Sequence, residues 1–347
     1  TDPMKGEVIN PISVYPFPNF KAEQTKSYEL GTNLRLFNNK INIDATVYLT
    51  DTYNQTFLSS MSPASGYSGF YVQAGKVRNK GIELSLGYND RFGKVGYATN
   101  LTYTANRNKI MKMVHDYKNP SDGSLFSITE LTLQDKGGVY LREKDAIGDV
   151  YVKGILARGK DGKLIEEEGG YKVDRSQRIK IGSVNPDFSI GWRHNVTWNN
   201  ITLDLLFNGR FGGIVTSSTQ AFLDDYGVSK DTYKARQNGG VWVNGTQYDA
   251  EKYYTTIGGE QLMAYYAYKA TNIRLQEASL SYTLPGKWFG NVINRLTVSA
   301  IGRNLWMIYN KAPFDPEMTS STGTYNRGDV FMPPSLRSVG FSVKIEL

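Results

Sequence analysis

Cysteine is absent from the 347 residues, so disulfide frameworks and thiolate metal sites are excluded, an absence that fits an exported protein. Histidine is scarce, with only His115 and His194 present. A zinc site or a Ser-His-Asp triad needs more convergent partners than either neighbourhood offers, so both read as surface or packing residues. No stretch approaches the roughly 18 unbroken apolar residues that a membrane helix requires. That excludes helical spanning but not a barrel, whose strands alternate lipid-facing and lumen-facing residues and average near zero. The mean hydropathy is −0.42. The net charge of +7 is scattered among acids and forms no stripe, which argues against nucleic acid as a partner. Thr1-Asp2-Pro3-Met4 offers no basic n-region and no apolar h-region, so a signal peptide is expected to have been removed or to lie elsewhere. Walker and dinucleotide motifs are missing, and Glu166-Glu167-Glu168 reads as a solvated run, not a tuned acid/base pair. No catalytic residue, metal ligand or cofactor is expected, and the chain reads as no enzyme.

What is abundant is tyrosine (24), glycine (35) and an alternation of apolar and polar residues that recurs nine times. The first run sets Tyr28, Leu30, Leu34 and Leu36 against Glu29, Asn33 and Arg35; the second sets Ile41, Ile43, Val47 and Leu49 against Asn42, Asp44 and Thr50. The third and fourth carry Ile82, Leu84, Leu86 and Tyr88, then Val95, Tyr97, Leu101 and Tyr103. Phe188, Ile190, Trp192, Val196 and Trp198 form the fifth, and Ile201, Leu203, Leu205, Phe207 and Phe211 the sixth. The seventh runs Ile273, Leu275, then slips phase near Glu277 to Ala278, Leu280, Tyr282 and Leu284, as a β-bulge would leave it. Leu296, Val298, Ala300 and finally Val339, Phe341, Val343, Ile345, Leu347 complete the set. Period two puts each series on one face of a strand.

The connections alternate between short and long. Short ones are 37–40, 89–94, 199–200 and 285–294; long ones are about 59–77, 107–185, 212–265 and 310–335. A membrane barrel explains this, because short periplasmic turns and long extracellular loops lie at opposite ends of antiparallel strands, whereas a sandwich gives no such reason. The expected fold is therefore all-β, an antiparallel transmembrane barrel. On that topology the first strand runs inward and Leu347 sits at the periplasmic rim. Phe37, Tyr88, Phe92, Trp198, Trp288 and Phe289 gather at the short turns, where an interfacial girdle belongs. Nine strands cannot close as one up-and-down meander of even count, so the chain is expected to be an arc of about nine strands from a larger barrel.

Several tags carry a resemblance to a family. Ser27-Tyr28-Glu29-Leu30-Gly31, Asn79-Lys80-Gly81-Ile82-Glu83-Leu84, Asn185-Pro186-Asp187-Phe188, Thr271-Asn272-Ile273-Arg274-Leu275, Ser281-Tyr282-Thr283-Leu284-Pro285, Gly302-Arg303-Asn304-Leu305 and Phe314-Asp315-Pro316-Glu317 follow in order over residues 25–347. Together they resemble the later barrel strands of SusC/RagA-type TonB-dependent outer-membrane transporters. The resemblance implies the C-terminal third of a 22-stranded, plugged barrel in the Gram-negative outer membrane, with the plug and N-terminal strands outside this sequence. It implies energised import of an oligosaccharide or oligopeptide. The partners it implies are a SusD-like surface lipoprotein lid, the TonB-ExbB-ExbD complex, membrane lipid and lipopolysaccharide. Two departures stand out: Arg158-Gly159-Lys160-Asp161-Gly162-Lys163 lacks the oxygen-ligand ladder of a calcium loop, and the chain ends in Leu347 instead of Phe. A passive porin and a soluble β-rich glycan-binding module are the rival readings.

Binding chemistry concentrates in the long loops and on the polar strand faces. Tyr226, Trp242, Tyr253 and Tyr265 are the loop candidates for stacking on a substrate; the alternatives are that such aromatics pack the loops into a rigid crown or meet a lid protein. Asp204, Asn208, Arg210, Arg274 and Arg303 are the lumen candidates, suited either to substrate or to a plug. Asp161-Gly162 is expected to turn a hairpin joining 151–157 to 163–167, and Asn244-Gly245 a smaller one.

Overall fold

The computed structural model describes residues 14, 20–60, 67–118, 123–133, 139–290, 292–320 and 328–347. Nine long strands form one antiparallel wall. They are β1 (Gln24–Leu36), β2 (Ile41–Ser60), β3 (Gly69–Phe92), β4 (Val95–Lys112), β13 (Phe188–Trp198), β14 (Ile201–Phe211), β19 (Asn272–Pro285), β20 (Arg295–Asn310) and β22 (Ser338–Glu346), side by side in chain order. These are the nine alternating runs. The register keeps like faces together. Tyr97 stands opposite Val196, Val196 opposite Leu203, Leu203 opposite Leu280, Leu280 opposite Ala300, and Ala300 opposite Phe341. A one-residue slip anywhere in that row would throw a whole strand's apolar set onto the polar face.

The apolar face looks outward with little covering it: Leu30 is 74% exposed and Phe341 83%. The other face is laced by cross-strand polar pairs, among them Asn33 to Asp44 (2.9 Å), Asn100 to Ser85 (3.0 Å), Asn195 to Asp204 (2.9 Å) and Ser281 with Ser299 (2.8 Å). The apolar band has a definite height. On β2 it runs from Ile41 to Leu49 and stops at Asp51, whose carboxylate is gripped by Arg78 (2.6 and 2.8 Å) and Lys76 (2.7 Å). On β4 it stops at Arg107, paired with Asp187 at 2.8 Å. Nine residues of tilted strand match the roughly 9–11 needed to cross a bilayer's hydrocarbon. At the other end the chain reverses in tight turns: Phe37, Asn38 and Asn39 all have positive φ, as does Asn199. Phe37, Phe92, Trp198 and Trp288 are exposed there, with Tyr88 and Phe289 partly covered.

Two strands run on past the band, which revises the first long loop. Residues 59–77 are mostly strand, since β2 and β3 pair continuously to Ser60 and Gly69. The extension is held by a buried apolar face of its own. Phe57, Val72, Val77, Ile110 and Met113 pack with Leu131, Leu133, Leu141 and Ile147, the first three of these from or beside the hairpin of β7 (Glu130–Leu133) and β8 (Val139–Arg142). Beside it lie β5 (Val114–Lys118) and β6 (Leu125–Ile128), paired with each other. The expected bulge is present: Leu206 faces Glu277 and Phe207 faces Leu275, leaving Gln276 unpaired in the ladder.

The remaining long connections build a crown. It contains β9 (Asp149–Leu156), β10 (Glu166–Glu167), β11 (Gly170–Tyr171), β12 (Val173–Ser183), β15 (Ile214–Ser217), β16 (Val241–Val243), β17 (Thr246–Tyr248), β18 (Ala267–Lys269) and β21 (Gly328–Asp329). Three helices join them: α1 (Ser218–Asp225), α2 (Lys230–Gln237) and α3 (Ala250–Gly259). Each helix starts on a side-chain cap, as Ser217, Ser229 and Asp249 accept from the N–H of Gln220, Thr232 and Lys252. Leu156, Leu164, Tyr171, Ala221, Tyr253, Ile257, Leu262 and Tyr266 form the crown's core. The Asn244-Gly245 hairpin is there, with φ of 51° and 79° at its two turn residues. The expected 151–157 to 163–167 hairpin is only a tip: Gly162 N–H bonds Gly159 O (3.0 Å) and Arg158 bridges Leu164. A second turn at Gly169 (φ 81°) then reverses the chain, so that β9 pairs with β12 instead.

Candidate functional site

Where the wall meets the crown, β13 falls short of its neighbour. Its register with β4 ends at Ser189 opposite Thr104, while β4 continues to Lys112. The Asn185-Pro186-Asp187 turn draws the chain aside: Asp187 N–H donates to Phe211 O (2.7 Å), and its carboxylate holds Arg107. Gly212 is required beside it, because φ is +78° and a Cβ would lie 2.2 Å from the Asp187 carboxylate. Asn185 Nδ2 donates to Ile147 O (2.6 Å), while Ile147 N–H donates to Asn108 Oδ1 (2.7 Å). Between these parts lies a cleft of about 650 Å³ lined by Asn106, Arg107, Asn108, Asp187, Lys269 and Thr271 among others. That volume falls within the roughly 300–1,000 Å³ typical of small-ligand sites. Its wall mixes amides, both signs of charge and the ring of Phe211, a donor set suited to an uncharged or zwitterionic polar molecule.

Two smaller clefts flank α3. One, about 250 Å³, is lined by Asp224, Asp225, Tyr226, Arg236, Glu251 and Tyr254. Burial raises the pKa of Asp224 despite opposing hydrogen bonds, among them one from Gln220 Nε2 at 2.9 Å. The other, about 460 Å³, lies among Glu167, Glu168, Tyr171, Arg175 and Glu260, with Arg175 paired to Glu260 at 2.7 Å.

The nine candidates from the sequence lie in separate places. Tyr226 is exposed at the end of α1 and lines the 250 Å³ cleft; Trp242 is exposed on β16. Tyr253 is buried in the crown core, where burial pushes its phenol up to about 12. Tyr265 packs against that core and its hydroxyl accepts from Leu156 N–H (3.0 Å). Asp204 takes Asn195 (2.9 Å) and Arg193 (3.3 Å) on the polar face, and Asn208 is exposed one step along the same face from Leu206. Arg210 donates to Val184 O at 2.6 Å. Arg303 pairs with Glu277 at 2.9 Å. Arg274 is buried and clamps Asp315 (2.9 Å), which fastens the Phe314-Asp315-Pro316-Glu317 tag to β19. His194 lies 2.9 Å from the Tyr97 hydroxyl and packs on Trp192, and His115 meets the Glu143 carboxylate. Asn106, Asn108 and Lys269 were not singled out by sequence; only the early end of β13 brings them together.

Residues 6–141 match a family model described as TonB dependent receptor-like, beta-barrel. Among curated proteins, the chain is 24% identical over 321 residues to TonB-dependent receptor P3 of Formosa agariphila, covering 86% of this chain and 31% of that protein. TonB-dependent receptor P39 of the same organism is 21% identical over 360 residues, with 90% and 34% covered. The chain thus spans about a third of the length of the curated relatives it matches. Among solved structures, the RagAB peptide importer in its open-open state aligns with a TM-score of 0.70 at 19% identity, covering 96% of this chain and 36% of that one. The closed-closed state aligns at 0.67, with 93% and 35% covered and 19% identity. The nine-strand wall and its bilayer-high apolar band agree with these likenesses: residues 6–141 match the β-barrel model of TonB-dependent receptors, and the chain as a whole has the fold of part of such a barrel.

Proposed function

We propose that this chain forms part of the wall and mouth of an energised outer-membrane importer that takes up oligopeptides. The observation that carries the reading is the wall itself, with an apolar band of membrane height on one face and a polar ladder on the other. Peptide is favoured over oligosaccharide because the similar solved structures are named as peptide importers, and because the cleft at the mouth offers amides and both signs of charge. In this reading the crown faces the outside, the short turns face the periplasm, and Leu347 lies at the periplasmic rim. A SusD-like lipoprotein covers the crown, and the TonB-ExbB-ExbD complex acts through a plug that belongs to the rest of the transporter. Substrate is held by the crown and wall until the plug is pulled; the chemistry is binding and gating.

The test is uptake of a labelled oligopeptide pool by cells carrying the full-length transporter. Uptake should vanish when TonB is deleted or the proton gradient is collapsed. Uptake that persists in both conditions would mark a passive porin.

A further inference from the structure

The early end of β13 leaves a stretch of β4 with no strand beside it. Below the gap β13 pairs up to Thr104; above it the 144–145 segment takes over, with Ile110 N–H donating to Asp145 O (2.8 Å) and Lys144 N–H donating to Ile110 O (2.8 Å). In an antiparallel strand, successive residues direct their main-chain groups to alternate sides. The Ala105 carbonyl lies 2.5 Å from where a Gly81 Cβ would be, on the β3 side. Ile110 faces the other way, and so do Asn108 and Asn106. Their N–H and C=O groups therefore point into the 650 Å³ cleft. Their side chains hold the edge in place, because both amides donate to Asn79 Oδ1 (3.3 and 2.9 Å). Lys269 lines the same cleft, exposed and without an ion pair among the described residues.

We propose that the Asn106–Asn108 edge is a strand-addition site that takes an extended oligopeptide, main chain to main chain, with Lys269 meeting a peptide carboxylate. This rests on the peptide-import reading and narrows it. A peptide in extended form matches a bare edge whatever its sequence, since the edge reads backbone donors and acceptors and not side chains. That is the recognition a nutrient importer needs for a mixed pool. A glycan has no such repeat of donors and acceptors.

The experiment measures fluorescence anisotropy on the purified full-length transporter, using a pool of fluorescein-labelled random oligopeptides, the same pool N-methylated at alternate amides, and maltoheptaose as competitor. N-methylation should weaken binding at least about tenfold, as lost main-chain hydrogen bonds in a desolvated cleft would. Asn106→Pro should weaken it comparably; its N–H faces the cleft, so proline there spares the β3–β4 ladder. Lys269→Met should weaken it several-fold, and more for peptides with a free carboxylate than for amidated ones. Equal binding of plain and methylated peptides, or full binding by folded Asn106→Pro, overturns the edge site. If Asn106→Pro does not fold, the methylation comparison on the unaltered protein decides alone. The two readings fail differently: peptides bound and imported without sensitivity to methylation remove only the edge, whereas maltoheptaose bound in place of peptides removes both.

Discussion

Single residues on the wall are constrained by which face they occupy. Val343 points outward on β22 opposite Val298, while Ser342 points inward opposite Ser299. Val343→Arg, or Leu203→Arg on β14, should each destabilise the barrel by about 2–4 kcal/mol near mid-bilayer, and Ser342→Arg by clearly less. Urea titration of the refolded protein in lipid measures the difference, and equal losses on both faces would refute the assignment of the apolar face to lipid. Gly81 in the Asn79-Lys80-Gly81-Ile82-Glu83 tag has a different constraint. A Cβ there would lie 2.5 Å from the Tyr48 ring and 2.5 Å from the Ala105 carbonyl, so the ring of one strand lies over the bare backbone of the next. Tyr48 can rotate away, but the carbonyl cannot. Gly81→Ala should cost about 1–3 kcal/mol in the same titration, and Tyr48→Ala should recover little of it.

At the scale of elements, what was legible follows from how many environments an element touches. A wall strand meets lipid on one side and polar groups on the other, so its sequence alternates and all nine could be read, bulge included. The upper parts of β2 and β3 read as loop in sequence because the apolar series of the lower strand is broken by Asp51 and Arg78, and resumes only at Phe57 and Val72 under the β7–β8 hairpin. The three helices are not legible in the sequence because each is only eight to ten residues long, although their caps Ser217, Ser229 and Asp249 stand in it. Tyr253 and Tyr265 looked like binding residues for the same reason, since the core they pack against is made only when those helices form. The cleft was illegible because it depends on where β13 stops relative to β4.

Elements also set a pH dependence. Burial would raise the Glu143 carboxyl, but hydrogen bonds from Met113 N–H, His115 and Lys144 outweigh it and hold the group at about 2, against 4.5 unperturbed. A depressed carboxylate contributes stability that is complete above its unfolded value and lost as pH falls through the folded one. Glu143 ties the end of β4 to the end of β8. The stability difference between the unaltered protein and Glu143→Gln should therefore be full above about pH 5 and shrink steadily between 4.5 and about 2. Melting temperatures of the pair across that range give the answer; a difference that does not change with pH would show that the bonds do not act through the charge. The crown's orientation is testable too. Epitope tags in segments 158–163 and 244–245, both at exposed hairpin tips, should be reached by antibody on intact cells, whereas a tag at 38–39 should not.

For the whole molecule, the decisive fact is that the wall is an open sheet. Along the membrane band β1 pairs only with β2, and β22 only with β20, so each presents one row of main-chain N–H and C=O groups without a strand partner among the described residues. In hydrocarbon every such unsatisfied group costs several kcal/mol, and a row of them cannot be tolerated. The apolar faces of the same two strands are among the most exposed in the chain, Leu30 at 74% and Val339 at 82%, so lipid contact and bare edges coincide. We propose that further strands complete the sheet, a reading that fits a chain spanning about a third of its curated relatives' length. Residues 1–347 produced alone and refolded in detergent should consequently give no heat-modifiable band on a gel and no discrete conductance in planar bilayers. The full-length transporter should run as a compact, heat-modifiable barrel. Cysteine pairs are easy to read here because the chain has none of its own. A cysteine at Ser342 paired with one at Asn33 should not cross-link if the two edges are kept apart by intervening strands. Efficient cross-linking between them within one copy, together with a stable monomer, would mean that nine strands close on themselves, and the large-barrel reading would fall.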